Sequence, residues 1–218
     1  MSGAVDHRGG WLEVERLYRE ASRCRRCFEQ LGLQPPTIDI AQPRWVGPHY
    51  WTSDQRVLIL MINPGSGANR LDGADLRMRN ALHEFRDGRA PLREILDRQV
   101  DDMPRWGRGR FWGFFVGDLG LSMDQVAFGN IAWCATSDNS YPRRMLSACL
   151  DLFTARLVKL LQPTHILLSG AATHQFRARV QESAPNAHVE PVLHYADRRG
   201  REVRAAEVAR IRALLSSR

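Results

Sequence analysis

A three-layer α/β/α sandwich with a central four-stranded parallel sheet is the fold this 218-residue sequence predicts, as one domain over residues 1–218. Three observations predict it. Short apolar runs with the character of buried strands recur along the chain, segments with apolar residues at three- and four-residue spacing fall between them, and no repeat, low-complexity tract or linker divides the sequence. Strands alternating with helices give a parallel sheet covered on both faces, joined by right-handed crossovers.

In chain order, residues 11–31 carry helical apolar spacing, and residues 34–54, rich in proline and aromatics, predict an irregular connector. The first strand is expected over residues 56–62 (RVLILMI), followed by a helix over 74–85. The second strand is expected over 126–133 (VAFGNIAW), and Ser140 with Pro142 marks the start of a helix over 145–161. A third strand over 165–169 (HILLS), a helix over 171–181, a fourth strand over 189–194 (VEPVLH) and a last helix over 203–215 complete the alternation. The strands are near-continuous in apolar character, as expected where a parallel sheet is buried on both faces. Ligands of such sheets bind beyond the carboxyl ends of the strands, so the residues just after each strand are the candidates for function.

The four cysteines are spaced as Cys24-x2-Cys27, then Cys134 and Cys149. A disulfide framework suits short secreted chains, and this sequence opens on no signal-peptide pattern, so reduced thiols in a cytoplasmic (bacterial, nucleoid-associated) protein are expected. Four thiolates serve either a tetrahedral zinc or a 4Fe-4S cluster, and the spacing does not choose between them. Free cysteines can also pack simply as small hydrophobes.

Lys and Arg number 31 against 24 Asp and Glu, a formal charge of +7, and Lys159 is the sole lysine. No apolar run is long enough to span a bilayer, so a monomer that binds nucleic acid or phosphate, and no membrane, is expected. Arginine's planar fork suits bidentate phosphate and base-edge contacts, although arginine-rich codon usage would give the same bulk composition. Placement of the arginines therefore carries more weight than their number.

After the first strand, the turn Asn63-Pro64-Gly65-Ser66 lets backbone amides of Gly65 and Ser66 approach a phosphate or a flipped base, with Asn63 projecting into the crevice. The second strand contains Asn130, four positions before Cys134; an amide inside an apolar strand needs partners, either structural ones or the edge of a base. The fourth strand ends at His194, with Arg198, Arg199 and Arg201 directly behind it.

Together these residues resemble the uracil-DNA glycosylase superfamily, particularly its iron-sulfur branch: an N-terminal Cys-x2-Cys, a first-strand motif ending in Pro-Gly, Asn130-x3-Cys134, a further cysteine at 149 and a late histidine. Residues 129–149, with Asn139 and Pro142, are similar to the family's N-x3-C-x-P-x2-N-x2-P pattern, with Ala135 and Thr136 where its first proline is usual. Asn63-Pro64-Gly65 is closer to the N-P-G of the mismatch-specific and single-strand-selective branches than to the G-E-A-P-G of the iron-sulfur branch. His194-Tyr195-Ala196 stands where H-P-S is common.

The resemblance implies a monofunctional glycosylase acting on DNA. It assigns Asn63 to orienting the attacking water, His194 to donating a hydrogen bond to the departing base, and Asn130 to pairing with the base edge. Arg198, Arg199 and Arg201 would hold flanking phosphates, and Cys24, Cys27, Cys134 and Cys149 a structural 4Fe-4S cluster. The substrate is expected to be uracil, a deaminated purine or a bulky modified pyrimidine. Residues 66–75 lack the aromatic that stacks on uracil in the iron-sulfur branch, which leaves a core-helix stretch at Phe111-Trp112-Gly113-Phe114-Phe115 as a source of stacking and favours a base larger than uracil. Three other readings are compatible with the residues: a catalytically weak abasic-site-sensing module, a defence glycosylase acting on modified phage bases, and a zinc-stabilised nucleic-acid binder.

Overall fold

The computed structural model describes residues 7–65 and 73–216. Four parallel strands, β1 (Val57–Met61), β2 (Val126–Asn130), β3 (His165–Ser169) and β4 (His188–Val192), form one sheet in the order β2-β1-β3-β4. Val57 lies opposite both Val126 and His165, and His165 lies opposite His188. Every residue of β1, β2 and β3 is buried, which explains their apolar interiors. β4 is an edge strand and is only partly buried, and Pro191, which has no N–H for a ladder, is tolerated there.

Helices flank the sheet on both faces and complete the three-layer sandwich: α1 (His7–Ser22), α2 (Ala74–Arg86), α3 (Leu92–Asp102), the short α4 (Arg110–Trp112), α5 (Arg143–Cys149), α6 (Ala155–Leu161), α7 (Ala171–His174), α8 (Arg177–Ser183) and α9 (Arg201–Ser216). α1 packs on α2 and α6, α2 on α3, and α6 on α8. Among the described residues no helix is long and apolar enough to cross a membrane.

Several boundaries differ from those the periodicity predicts. The first helix stops at Ser22 and resumes as a π turn over Arg26–Gln30, because the amides of Arg23 and Cys24 turn back to the carbonyls three residues earlier. That break lies at the Cys24-x2-Cys27 pair. The predicted helix over 145–161 is α5 and α6 joined through a π segment at Leu150–Thr154, where the Thr154 hydroxyl donates to the carbonyl of Asn130 at 2.8 Å. The predicted helix over 171–181 is divided into α7 and α8. α3 was not foreseen: it buries Leu92, Ile95, Leu96 and Gln99, a stripe whose last member is polar.

The connector over 34–54 is irregular, as expected, yet it closes the outer edge of β2. Phe128 donates its amide to Trp45 O at 2.8 Å, and Gly47 donates to Val126 O at 2.9 Å. A Cβ on Gly47 would sit 2.3 Å from the carbonyl oxygen of Asp124, so only glycine permits this approach. Covering an open edge in this way removes a row of unpaired backbone groups.

Candidate functional site

From β1 the chain moves to its neighbour β2, and from β3 it moves the other way to β4. The loops leaving β1 and β3 therefore diverge, and the crevice of a doubly wound sheet opens between them. A cleft of about 370 Å³ lies at this end, bordered by Asn63, Gly65, His194 and Tyr195 from the strand ends, and by Arg44 and Trp106 from the connector and the segment after α3.

Asn63 is held by its amide nitrogen, which donates to Asn139 Oδ1 at 3.4 Å and to the Tyr141 hydroxyl. Tyr141 in turn donates to Asn139 Oδ1 at 2.7 Å. Asn139 adopts φ 57°, a left-handed conformation that asparagine tolerates better than most residues. With its NH2 engaged, the Asn63 side chain retains its carbonyl oxygen as an acceptor, which is the group that orienting a water requires. Gly65 also borders the cleft, with φ 78°, and Ser66 lies outside the described residues.

His194 is half-buried. Its Nδ1 accepts the amide of Ala196 at 3.2 Å, which places the ring proton on Nε2. Burial pushes its pKa down from the ordinary 6.5, opposed in part by Asp197. The imidazole is thus neutral at pH 7 and presents an N–H donor. Its ring lies against Tyr195, with centroids 4.2 Å apart. Gly170 follows β3 with φ 96°, and a Cβ there would approach His194 Cδ2 to 3.2 Å, so this glycine gives the imidazole its place.

Asn130 is not on the cleft wall. It is 1% exposed. With its amide oriented to satisfy its surroundings, its oxygen accepts Arg44 Nε at 2.9 Å and its nitrogen donates to Asn63 O at 3.1 Å and Gly129 O at 3.2 Å. In this arrangement the Asn130 side chain fixes the Asn63 backbone and the Arg44 guanidinium. Arg44, which sequence reasoning did not single out, is 8% exposed and sits over the Trp106 ring at 5.1 Å. Only its position in an otherwise apolar, proline-bounded stretch could have signalled it.

Aromatic rings reach the cleft from outside residues 66–75, Phe111 of the stretch 111–115 among them. Trp106 and Tyr195 border the cleft, far in sequence from residues 66–75, and Phe111 joins them from α4. Phe114 and Phe115 are core residues, as a core-helix reading of that stretch expects. Gly107, at φ 58°, is where Tyr195 packs: a Cβ there would fall 2.5 Å from Tyr195 Cε2.

Arg198, Arg199 and Arg201 are exposed in and after the loop that follows His194. Arg199 is tied to Asp197 through its backbone amide at 2.9 Å and its Nε at 3.1 Å.

All four cysteines are free thiols; Cys27, Cys134 and Cys149 are buried and Cys24 is half-buried. The fold brings them together from the break after α1, the stretch after β2 and the end of α5. Contact with Cys134 and burial push the Cys27 thiol up to about 12, and contact with Cys27 together with burial raises Cys149. Burial, with Cys149 nearby, raises Cys24 as well. Among the described residues no three or more His, Cys, Asp or Glu side chains stand in a closed metal-ligand arrangement. The cysteines are neighbours, and a donor set of four sulfurs suits either zinc or an iron-sulfur cluster.

No protein-family model matches the chain. No curated protein matches it either.

Proposed function

We propose that the chain is a DNA glycosylase of the uracil-DNA glycosylase superfamily, hydrolysing the N-glycosidic bond of a flipped base to leave an abasic site. The observation that carries this reading is that Asn63 and His194, from the ends of β1 and β4, border one cleft with their free functional atoms of the required kinds: an acceptor for water and a neutral N–H donor.

The chemistry follows from those atoms. A duplex hides the glycosidic bond, so the nucleotide is extruded at a cost of a few kcal/mol, offset by contacts to the flanking strand. Arg198, Arg199 and Arg201 are suited to supply them. Bond cleavage leaves an oxocarbenium-like sugar and an anionic base. His194 Nε2–H donates to that developing anion, and a preorganised donor of this kind contributes about 2.7 to 4 kcal/mol to lowering the barrier. Asn63 orients water without deprotonating it. Cys24, Cys27, Cys134 and Cys149 would hold a 4Fe-4S cluster, whose contribution is structural: it ties the end of α1 to the segment between Asn130 and α5.

The test is single-turnover excision from oligonucleotides carrying uracil, hypoxanthine or 5-substituted uracils, read by alkaline cleavage. Asn63→Ala and His194→Ala should each slow excision about a hundredfold or more while DNA affinity holds. Arg198→Ala with Arg199→Ala should weaken binding and reduce its salt slope by about two. Wild-type protein that binds abasic sites but excises no base would establish a sensing module instead.

A further inference from the structure

We propose that Gln99 and Arg44 read the lactam edge of the flipped base, the adjacent C=O and N–H of an oxo base, with Gln99 the specificity-determining residue. This rests on the glycosylase reading above. Gln99, on α3, is 2% exposed and borders the cleft. Its Nε2 donates to the carbonyl of Pro43, which fixes the amide orientation and leaves Oε1 as the other atom. Among the described residues that Oε1 finds no hydrogen-bond partner. Tyr50 Oη and Trp51 Nε1 share this condition among the described residues, but neither residue borders the cleft. A buried acceptor without a donor is unfavourable, and one on a cleft wall is satisfied when a ligand brings an N–H.

Arg44 on the same wall is a donor only, its Nε fixed by Asn130 and its guanidinium plane set against Trp106. A base that turns an N–H to Gln99 gives Oε1 its missing donor, and its adjacent carbonyl then meets the guanidinium of Arg44 with an acceptor. Uracil, 5-substituted uracils and hypoxanthine have that edge. Cytosine and adenine reverse it, with an amino donor toward Arg44 and a bare ring nitrogen toward Gln99 Oε1, so both contacts fail. Thymine and guanine share the lactam edge, and discrimination against them falls to the flipping cost, which is least for mismatched bases. Asn130 cannot perform this reading, since its three polar contacts lie within the protein.

The test uses the full chain and duplexes with a non-hydrolysable 2′-fluorinated nucleotide opposite an abasic analogue, so that pairing is removed from the comparison. The bases are uracil, N3-methyluracil and cytosine, and the readout is affinity by fluorescence anisotropy. Wild-type protein should bind the uracil probe at least about tenfold tighter than the other two. In Gln99→Met, an apolar replacement of similar volume, the affinities for uracil and N3-methyluracil should converge to within about threefold, since no buried acceptor remains to tell them apart, while Arg44 still disfavours cytosine. Equal wild-type affinity for uracil and N3-methyluracil overturns the proposal without any variant having to fold, as does an undiminished preference for uracil over N3-methyluracil in Gln99→Met. If uracil is excised but N3-methylation costs nothing, hydrolysis stands and this assignment falls. Selective binding of the uracil probe with no excision of any base leaves the assignment standing and refutes hydrolysis.

Discussion

Replacing Gly107 by alanine would test whether Tyr195 and His194 act as one packed unit on the cleft wall. At φ 58° alanine must adopt a left-handed conformation, which costs roughly 1 to 2 kcal/mol. Its Cβ would also fall 2.5 Å from Tyr195 Cε2. That ring has little room to yield: its centroid lies 5.4 Å from Phe111 on one side and 4.2 Å from His194 on the other. Overpacking of such a site adds about 1 to 3 kcal/mol. Gly109→Ala is the matched control, because it too is left-handed, at φ 82°, yet its Cβ would come no nearer than 3.6 Å to Pro104 O.

At about 2 to 4 °C per kcal/mol for a domain of this size, Gly109→Ala should lower Tm by about 2 to 8 °C and Gly107→Ala by at least a further 2 °C or so. The second readout is the single-turnover rate, which should fall in Gly107→Ala as His194 is displaced with Tyr195, and hold in Gly109→Ala. Two variants that melt together and excise at the same rate would refute the reasoning, because the contact with Tyr195 is the one difference between them.

The protein purified without oxygen should be brown with about four irons per chain, and Cys27→Ser or Cys149→Ser should lose both colour and iron and melt earlier; a colourless protein with one zinc would overturn the cluster. Burial holds His194 below its ordinary 6.5, so the unfolded chain takes up this proton first as pH falls. Its contribution to stability is complete above 6.5 and is lost as pH drops through the lower folded value. Denaturation profiles between about pH 7 and pH 5 should therefore be flatter for His194→Gln than for wild type, and superimposable slopes would show that the imidazole is not perturbed.

The sheet was legible in the sequence because burial on both faces leaves a one-dimensional mark: β1 is apolar throughout, and β2 and β3 carry polar residues only at their ends, with no polar alternation between. Strand ends then located Asn63, Gly65 and His194, since the crevice of a doubly wound sheet follows from its connectivity. The four cysteines were grouped from sequence as one set of thiolates, and the fold brings Cys27 beside Cys134 and Cys149.

The partners of each polar group were not legible. Asn130 has the sequence context of a base reader, but whether a buried amide faces a cleft or a guanidinium depends on a residue 86 positions away, Arg44, delivered by an irregular connector with no periodicity to reveal it. Trp106 and Gln99 reach the cleft the same way, from a helix and turn whose apolar stripe was too thin to predict. Periodic burial is a property of each segment alone and can be read from sequence. Complementarity between hydrogen-bonding groups belongs to pairs of segments, and it exists only once the fold has brought them together.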